Sequence, residues 1–103
     1  MNLVILSGNL GADPEIKYTQ NGTAIASFSL ATTEKWKNDD GVQEHTEWHK
    51  IIVWGPQAES CKNYLTKGKR VNVMGKIQTR KYTNNEGKEM RVMEIKATSV
   101  EFI

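Results

Sequence analysis

Thr46-Glu47-Trp48-His49-Lys50-Ile51-Ile52-Val53-Trp54-Gly55 decides the fold. The run is rich in β-branched and aromatic residues and is stopped by Gly55-Pro56, so it reads as one long strand. A strand sends alternate side chains to opposite faces. One face carries Trp48, Lys50, Ile52 and Trp54, and the other Glu47, His49, Ile51 and Val53. The second face can supply a core. The first holds two indoles about 20 Å apart at strand spacing, with a lysine between them. Flat rings interleaved with positive charge suit a polymer of flat bases on a negative backbone. An ordinary core role for both tryptophans explains these ten residues equally well.

Outward from that strand, 103 residues make one domain with one core. No run of about 18 apolar residues is present to span a membrane. No charged-then-apolar leader precedes Leu3-Val4-Ile5-Leu6, so no secretory signal is expected. The single cysteine, Cys61, excludes an internal disulfide and fits a reducing cytosol. The net charge of +2 is too small to indicate a polyanionic partner. Its distribution says more. Residues 1–47 hold three Lys against seven Asp or Glu, and residues 48–103 hold eleven Lys or Arg against five Glu. The second half should build a basic surface.

Upstream, Asn2 to Leu10 reads as a strand whose Leu3–Leu6 part is apolar on both faces, so one face needs cover from another subunit. Gly8 and Gly11 bracket a bend, and Glu15 to Tyr18 continues the strand. Asn21-Gly22 predicts a type I′ hairpin turn. Thr23 to Thr33 alternates, with Ala24, Ala26, Phe28 and Leu30 on one side. Trp36, between Lys35 and Lys37 and beside the polar turn Asn38–Gly41, suits a ligand better than a core.

Downstream, Pro56 opens a helix whose buried side is Ala58, Cys61, Tyr64 and Leu65, ended by Lys67-Gly68. Arg70 to Tyr82 is a strand. Val71, Val73, Gly75, Ile77 and Thr79 make its inner face. Arg70, Asn72, Met74, Lys76, Gln78, Arg80 and Tyr82 make the outer one. Cations, amides and a terminal aromatic on one face suit phosphates and bases. Residues 83–87 form a hairpin tip. In the last strand Met93, Ile95 and Ala97 point inward, then the apolar phase shifts to Val100 and Phe102, which predicts a bulge near Thr98-Ser99.

Five strands with one short helix between the third and fourth is the element order of an OB-fold, an all-β barrel. The whole of 1–103 is expected to be that single domain.

On these residues the chain resembles the DNA-binding domain of the bacterial single-stranded DNA-binding proteins (SSB). The likeness runs through Val4–Glu15, Asn21-Gly22, Phe28–Thr32, Thr46–His49, Gly55, Ala58-Glu59, Tyr64-Leu65, Lys67-Gly68, Val73, Gly75 and Thr79–Tyr82. It implies sequence-independent binding and protection of single-stranded DNA in replication, recombination and repair. It further implies stacking on Trp36, Trp48, Trp54 and Tyr82, with Lys50, Lys67 and Arg80 along the DNA path. Lys35 and Lys76, from their places beside Trp36 and on the outer strand face, join that set. His49 resembles a histidine at the family's subunit contact, and Leu3, Val4, Ile5 and Leu6 are assigned to the same interface. A homotetramer is implied, with a dimer as the alternative, in the cytoplasm at the nucleoid. Family members usually continue into a flexible tail with an acidic tip that recruits replication partners. This chain stops at Glu101-Phe102-Ile103, so no tail-mediated partner is expected of these residues.

Catalysis, cofactors and metals are not expected. His45 and His49 lie about 13 Å apart on a strand, too far to share an ion with Glu47. Cys61 sits on an apolar stripe, and Asp39-Asp40 is turn material. An RNA or general single-strand binder, or a protein-interaction barrel of a replication assembly, are the competing readings.

Overall fold

The computed structural model describes all 103 residues. The strands are β1 (Val4–Leu10), β2 (Glu15–Tyr18), β3 (Ala24–Asn38), β4 (Gly41–Trp54), β5 (Arg70–Thr83) and β6 (Glu89–Phe102). The one helix, α1 (Pro56–Tyr64), lies between β4 and β5. β1 and β2 are two parts of one strand interrupted at residues 11–14, which gives the closed five-stranded barrel with one helix expected of an OB-fold.

The sheet runs β1-β5-β6-β4-β3-β2, and β1 pairs again with β3 to close it. All contacts are antiparallel except a short parallel one, where Ile51 and Ile52 lie beside Ile95 and Lys96. Closure at β1 and β3 brings two backbones very close: a Cβ on Gly8 would stand 2.1 Å from the Ala31 carbonyl oxygen. Only glycine fits there. Burial follows the alternation of β3, with Ala24, Ala26, Phe28 and Leu30 all in the core. Ile51, Val53, Val71, Val73, Ile95 and Val100 meet them from the other strands.

β3 with β4, and β5 with β6, pair as long hairpins that run beyond the barrel and stretch the molecule to 55 × 36 × 29 Å. This corrects several inward assignments. Glu47 is exposed and His49 only half-buried, because the outer half of β4 belongs to an arm with no core beneath it. Thr79 and Met93 are exposed for the same reason, and Ile77 is exposed although it pairs with the core residue Ile95. The backbone of Ile77 pairs instead with the Asn2 side-chain amide, which accepts from its N–H at 3.0 Å and donates to its carbonyl at 2.8 Å.

The bulge lies where the phase change puts it. Met74 faces Ser99 and Gly75 faces Ala97, so Thr98 is the extra residue, its hydroxyl donating to the Met74 carbonyl at 3.1 Å. Asn21-Gly22 does join β2 to β3, but not as a type I′ turn. No non-glycine residue has positive φ; Gly22 alone takes it, at 85°, after a turn in which its N–H donates to Thr19 O.

The helix ends sooner than Gly68. Leu65 has already turned to extended φ and ψ. Ala58, Cys61 and Leu65 are buried, whereas Tyr64 is exposed with its ring 6.2 Å from that of Phe102. Burial of Cys61 pushes its thiol up to about 11. After the helix, Gly68 N–H donates to Leu10 O and Leu10 N–H to Lys69 O, which fastens this loop to the end of β1.

Candidate nucleic-acid interface

Register fixes which side chains share the outer face of the barrel, since paired residues point the same way. One row crosses five strands: Glu15, Ser27, Ile52, Lys96 and Lys76. Beside it, Lys17, Ile25 and Trp54 form a second row. On the other side Ser29 faces Lys50, and Glu94 faces Gln78. Lys17, Ile25, Ser27, Lys50, Ile52, Trp54, Gln78, Arg80 and Glu94 line one cleft of about 290 Å³.

The indoles are at the surface. Trp54 is 45% exposed and Trp48 58% exposed, and neither belongs to the core cluster. The core alternative for these two residues is thereby settled in favour of the surface. Ile52, between them, is buried but outside that cluster, and makes an apolar floor. The Lys96 ammonium stands 5.8 Å from the Trp54 ring centroid, a cation–π distance that steadies the ring and adds charge beside it. Trp48 lies over Gly11, where an added Cβ would come within 2.5 Å of the indole. The missing side chain at Gly11 is what lets the ring come that close.

The other predicted residues are placed as follows. Lys50, Lys76, Arg80 and Tyr82 share the outer face, with Tyr82 towards the β5–β6 tip opposite Met90. Lys35 shares the Trp48 face of the arm, opposite Glu44. Lys67 sits in the loop after the helix, its N–H bonded to Asp13 Oδ1 at 2.8 Å, next to the bend that carries Gly11. Trp36 is not brought to this face. It pairs with Gln43, which puts it on the reverse of the arm and about 17 Å along it from Trp48.

Of the residues assigned to a subunit contact, Ile5, Leu6 and His49 border that reverse side. Ile5, Leu6, Ser7, Thr32, Glu34, His45, Glu47 and His49 line a broad cleft of about 570 Å³. Leu3 and Ile5 are exposed, while Val4 and Leu6 pack against the core. His49 Nε2 lies 2.8 Å from the Thr32 hydroxyl. His45 Nε2 lies 2.9 Å from Glu47 Oε2, and this hydrogen bond together with the imidazole's charge lowers the Glu47 carboxyl below its ordinary value.

Lys17, Glu94 and Lys96 belong to the outer face without having been singled out from the sequence. The alternation of Met93, Ile95 and Ala97 already turned Glu94 and Lys96 outward. Nothing local said which strand would lie beside them.

Such a face can stack flat rings and neutralise phosphates at strand spacing. The Single-strand binding protein family model matches residues 1–103. The chain belongs to that family. It is 46% identical over 103 residues to a single-stranded DNA-binding protein of Halalkalibacterium halodurans, with all of this chain covered and 61% of that protein. The chain thus spans about three-fifths of that relative's length. A solved Plasmodium falciparum SSB, in complex with ssDNA, superposes with a TM-score of 0.89 at 33% identity, over 100% of this chain and 95% of that one. Proteins of this family bind DNA without catalysing a reaction on it. No helix is long and apolar enough to cross a membrane, and no three His, Cys, Asp or Glu side chains gather as a metal-binding set.

Proposed function

We propose that this domain binds and protects single-stranded DNA without sequence preference, serving replication, recombination and repair at the nucleoid in the cytoplasm. The observation that carries the reading is the β4 face: two exposed indoles with Lys50 between them, of which Trp54 and Lys50 line a cleft with Lys17, Gln78 and Arg80. Stacking contributes roughly 1–3 kcal/mol per base in single-strand binders, SSB proteins included. Lysines and arginines neutralise phosphates and release counterions, so affinity falls as salt rises. Bases held against Trp48 and Trp54 cannot pair, which disfavours duplex. A strand that continues around the edge of the β3–β4 arm meets Trp36 on its reverse, and one that follows β5 meets Tyr82.

The apolar outer edge of β1, with Leu3, Ile5 and the neighbouring Met74, supports self-association through the side that bears His49. A homotetramer is the assembly proposed.

Tryptophan emission during titration with oligo-dT, at low and high salt and with duplex as control, tests the reading. Strong quenching by the single strand, weakened by salt, is expected. Absence of quenching in folded protein would transfer the proposal to a protein-interaction role. Competition between matched DNA and RNA strands reports whether the 2′-OH matters.

A further inference from the structure

Glu94 is the one charged side chain buried in this molecule, 2% exposed, and it lies in the floor of a groove otherwise furnished with cations. A carboxylate there repels phosphate. A buried charge is tolerated only where partners compensate it. Its partners are the groove's own donors. Oε1 accepts from Gln78 Nε2 at 3.2 Å and from Arg80 Nε at 3.3 Å, both on β5. Oε2 has no hydrogen-bond partner, and the Lys50 ammonium of β4 stands 4.0 Å from it. Three groove-facing side chains from two strands therefore converge on one carboxylate of the strand between them.

We infer that Glu94 is a positioning residue for DNA binding: it pre-arranges Arg80, Gln78 and Lys50 so that their outer N–H groups face the strand. The guanidinium is held through Nε, which leaves its terminal nitrogens for phosphate. Lys50, within charge range but not hydrogen-bonded, can be shared between Glu94 and a phosphate. Long side chains fixed before binding lose less freedom on binding. The groove thereby forgoes some net charge in exchange for order.

The inference rests on the single-strand reading for its DNA readout, and Glu94→Gln separates it from simple electrostatics. Charge alone makes E94Q bind oligo-dT more tightly, with a steeper salt dependence. Positioning makes it bind roughly three- to ten-fold more weakly, as expected for coupled neighbours. In an Arg80→Met background the same change should then have a smaller effect, since one of the three positioned groups is already gone, which a general loosening of the barrel would not produce. Affinity that stays level or rises in folded E94Q, or an undiminished effect in the R80M background, overturns the inference. A second measurement needs neither variant nor DNA. In the free wild-type protein the Arg80 Nε–H should give a rigid NMR signal that exchanges slowly with solvent. A mobile, rapidly exchanging Nε–H overturns the inference even if E94Q does not fold. Wild-type protein that fails to bind oligo-dT sinks the functional reading instead, and leaves the Arg80 signal to decide the anchor.

Discussion

Two parts of the surface expose large apolar side chains, and they differ in what accompanies them. On the outer face of β4, Trp48 and Trp54 flank Lys50; Trp54 and Lys50 share a cleft with Lys17 and Arg80, and Lys96 stands beside the Trp54 ring. At the edge of β1, Ile5 is 65% exposed and directly paired with Met74, and Leu3, just before the strand, is exposed as well. The first set offers flat rings and charge, and the second offers flexible hydrocarbon. Exposure alone does not distinguish them. The neighbours do: a polyanion with flat bases matches the first, and another apolar protein surface matches the second.

The sharpest way to break this contrast is to remove the rings. Trp54→Ala and Trp48→Ala should each weaken oligo-dT binding by about ten- to hundred-fold, with circular dichroism unchanged because neither indole is core. Loss of folding would return that indole to the core. Next comes Leu3→Asp with Ile5→Asp. Light scattering should show a smaller assembly, and affinity per protomer for a short dT strand should stay within about two-fold if the β1 edge serves protein contacts. A third, smaller effect is expected for Lys50→Ala, where the slope of log affinity against log salt should shrink by about 0.7 if one phosphate contact is lost. Gly11→Ala should cost only a few-fold in affinity but visibly shift tryptophan emission, since the new methyl meets the Trp48 ring.

The smallest effect belongs to the reverse of the arm. Glu47 has its pKa lowered from 4.5 by the His45 hydrogen bond and then by His45 charge. A depressed carboxylate adds stability above its unfolded pKa and loses it as pH falls through the folded value. His45→Asn should move the Glu47 titration, followed by NMR, back towards 4.5. Both side chains are largely exposed, so melting should scarcely change even as pH falls from 5 to below 4.5, where Glu47 takes up its proton.

The barrel itself was legible because alternation reports burial wherever a core lies beneath the strand. Ala24, Ala26, Phe28 and Leu30 read correctly, and so did the phase change at Thr98. Thr79 and Met93 alternate just as well but lie where the hairpin has left the barrel. The point of departure depends on closure between β1 and β3, which local sequence does not state. Trp36 lay beyond the same horizon: its surface character was readable from Lys35 and Lys37, its face only from pairing with Gln43. Glu94 was illegible for a further reason. Its burial is made by Gln78, Arg80 and Lys50, all distant in the chain, and an isolated glutamate in a strand looks solvated.

Cys61 has a practical consequence. The only thiol in the chain is buried, and at neutral pH it is almost wholly in the unreactive protonated form. A new cysteine placed at an exposed groove position such as Lys76 would therefore react with a maleimide dye while Cys61 stays silent. The native residue can be left in place, and a single reporter can follow a strand as it arrives.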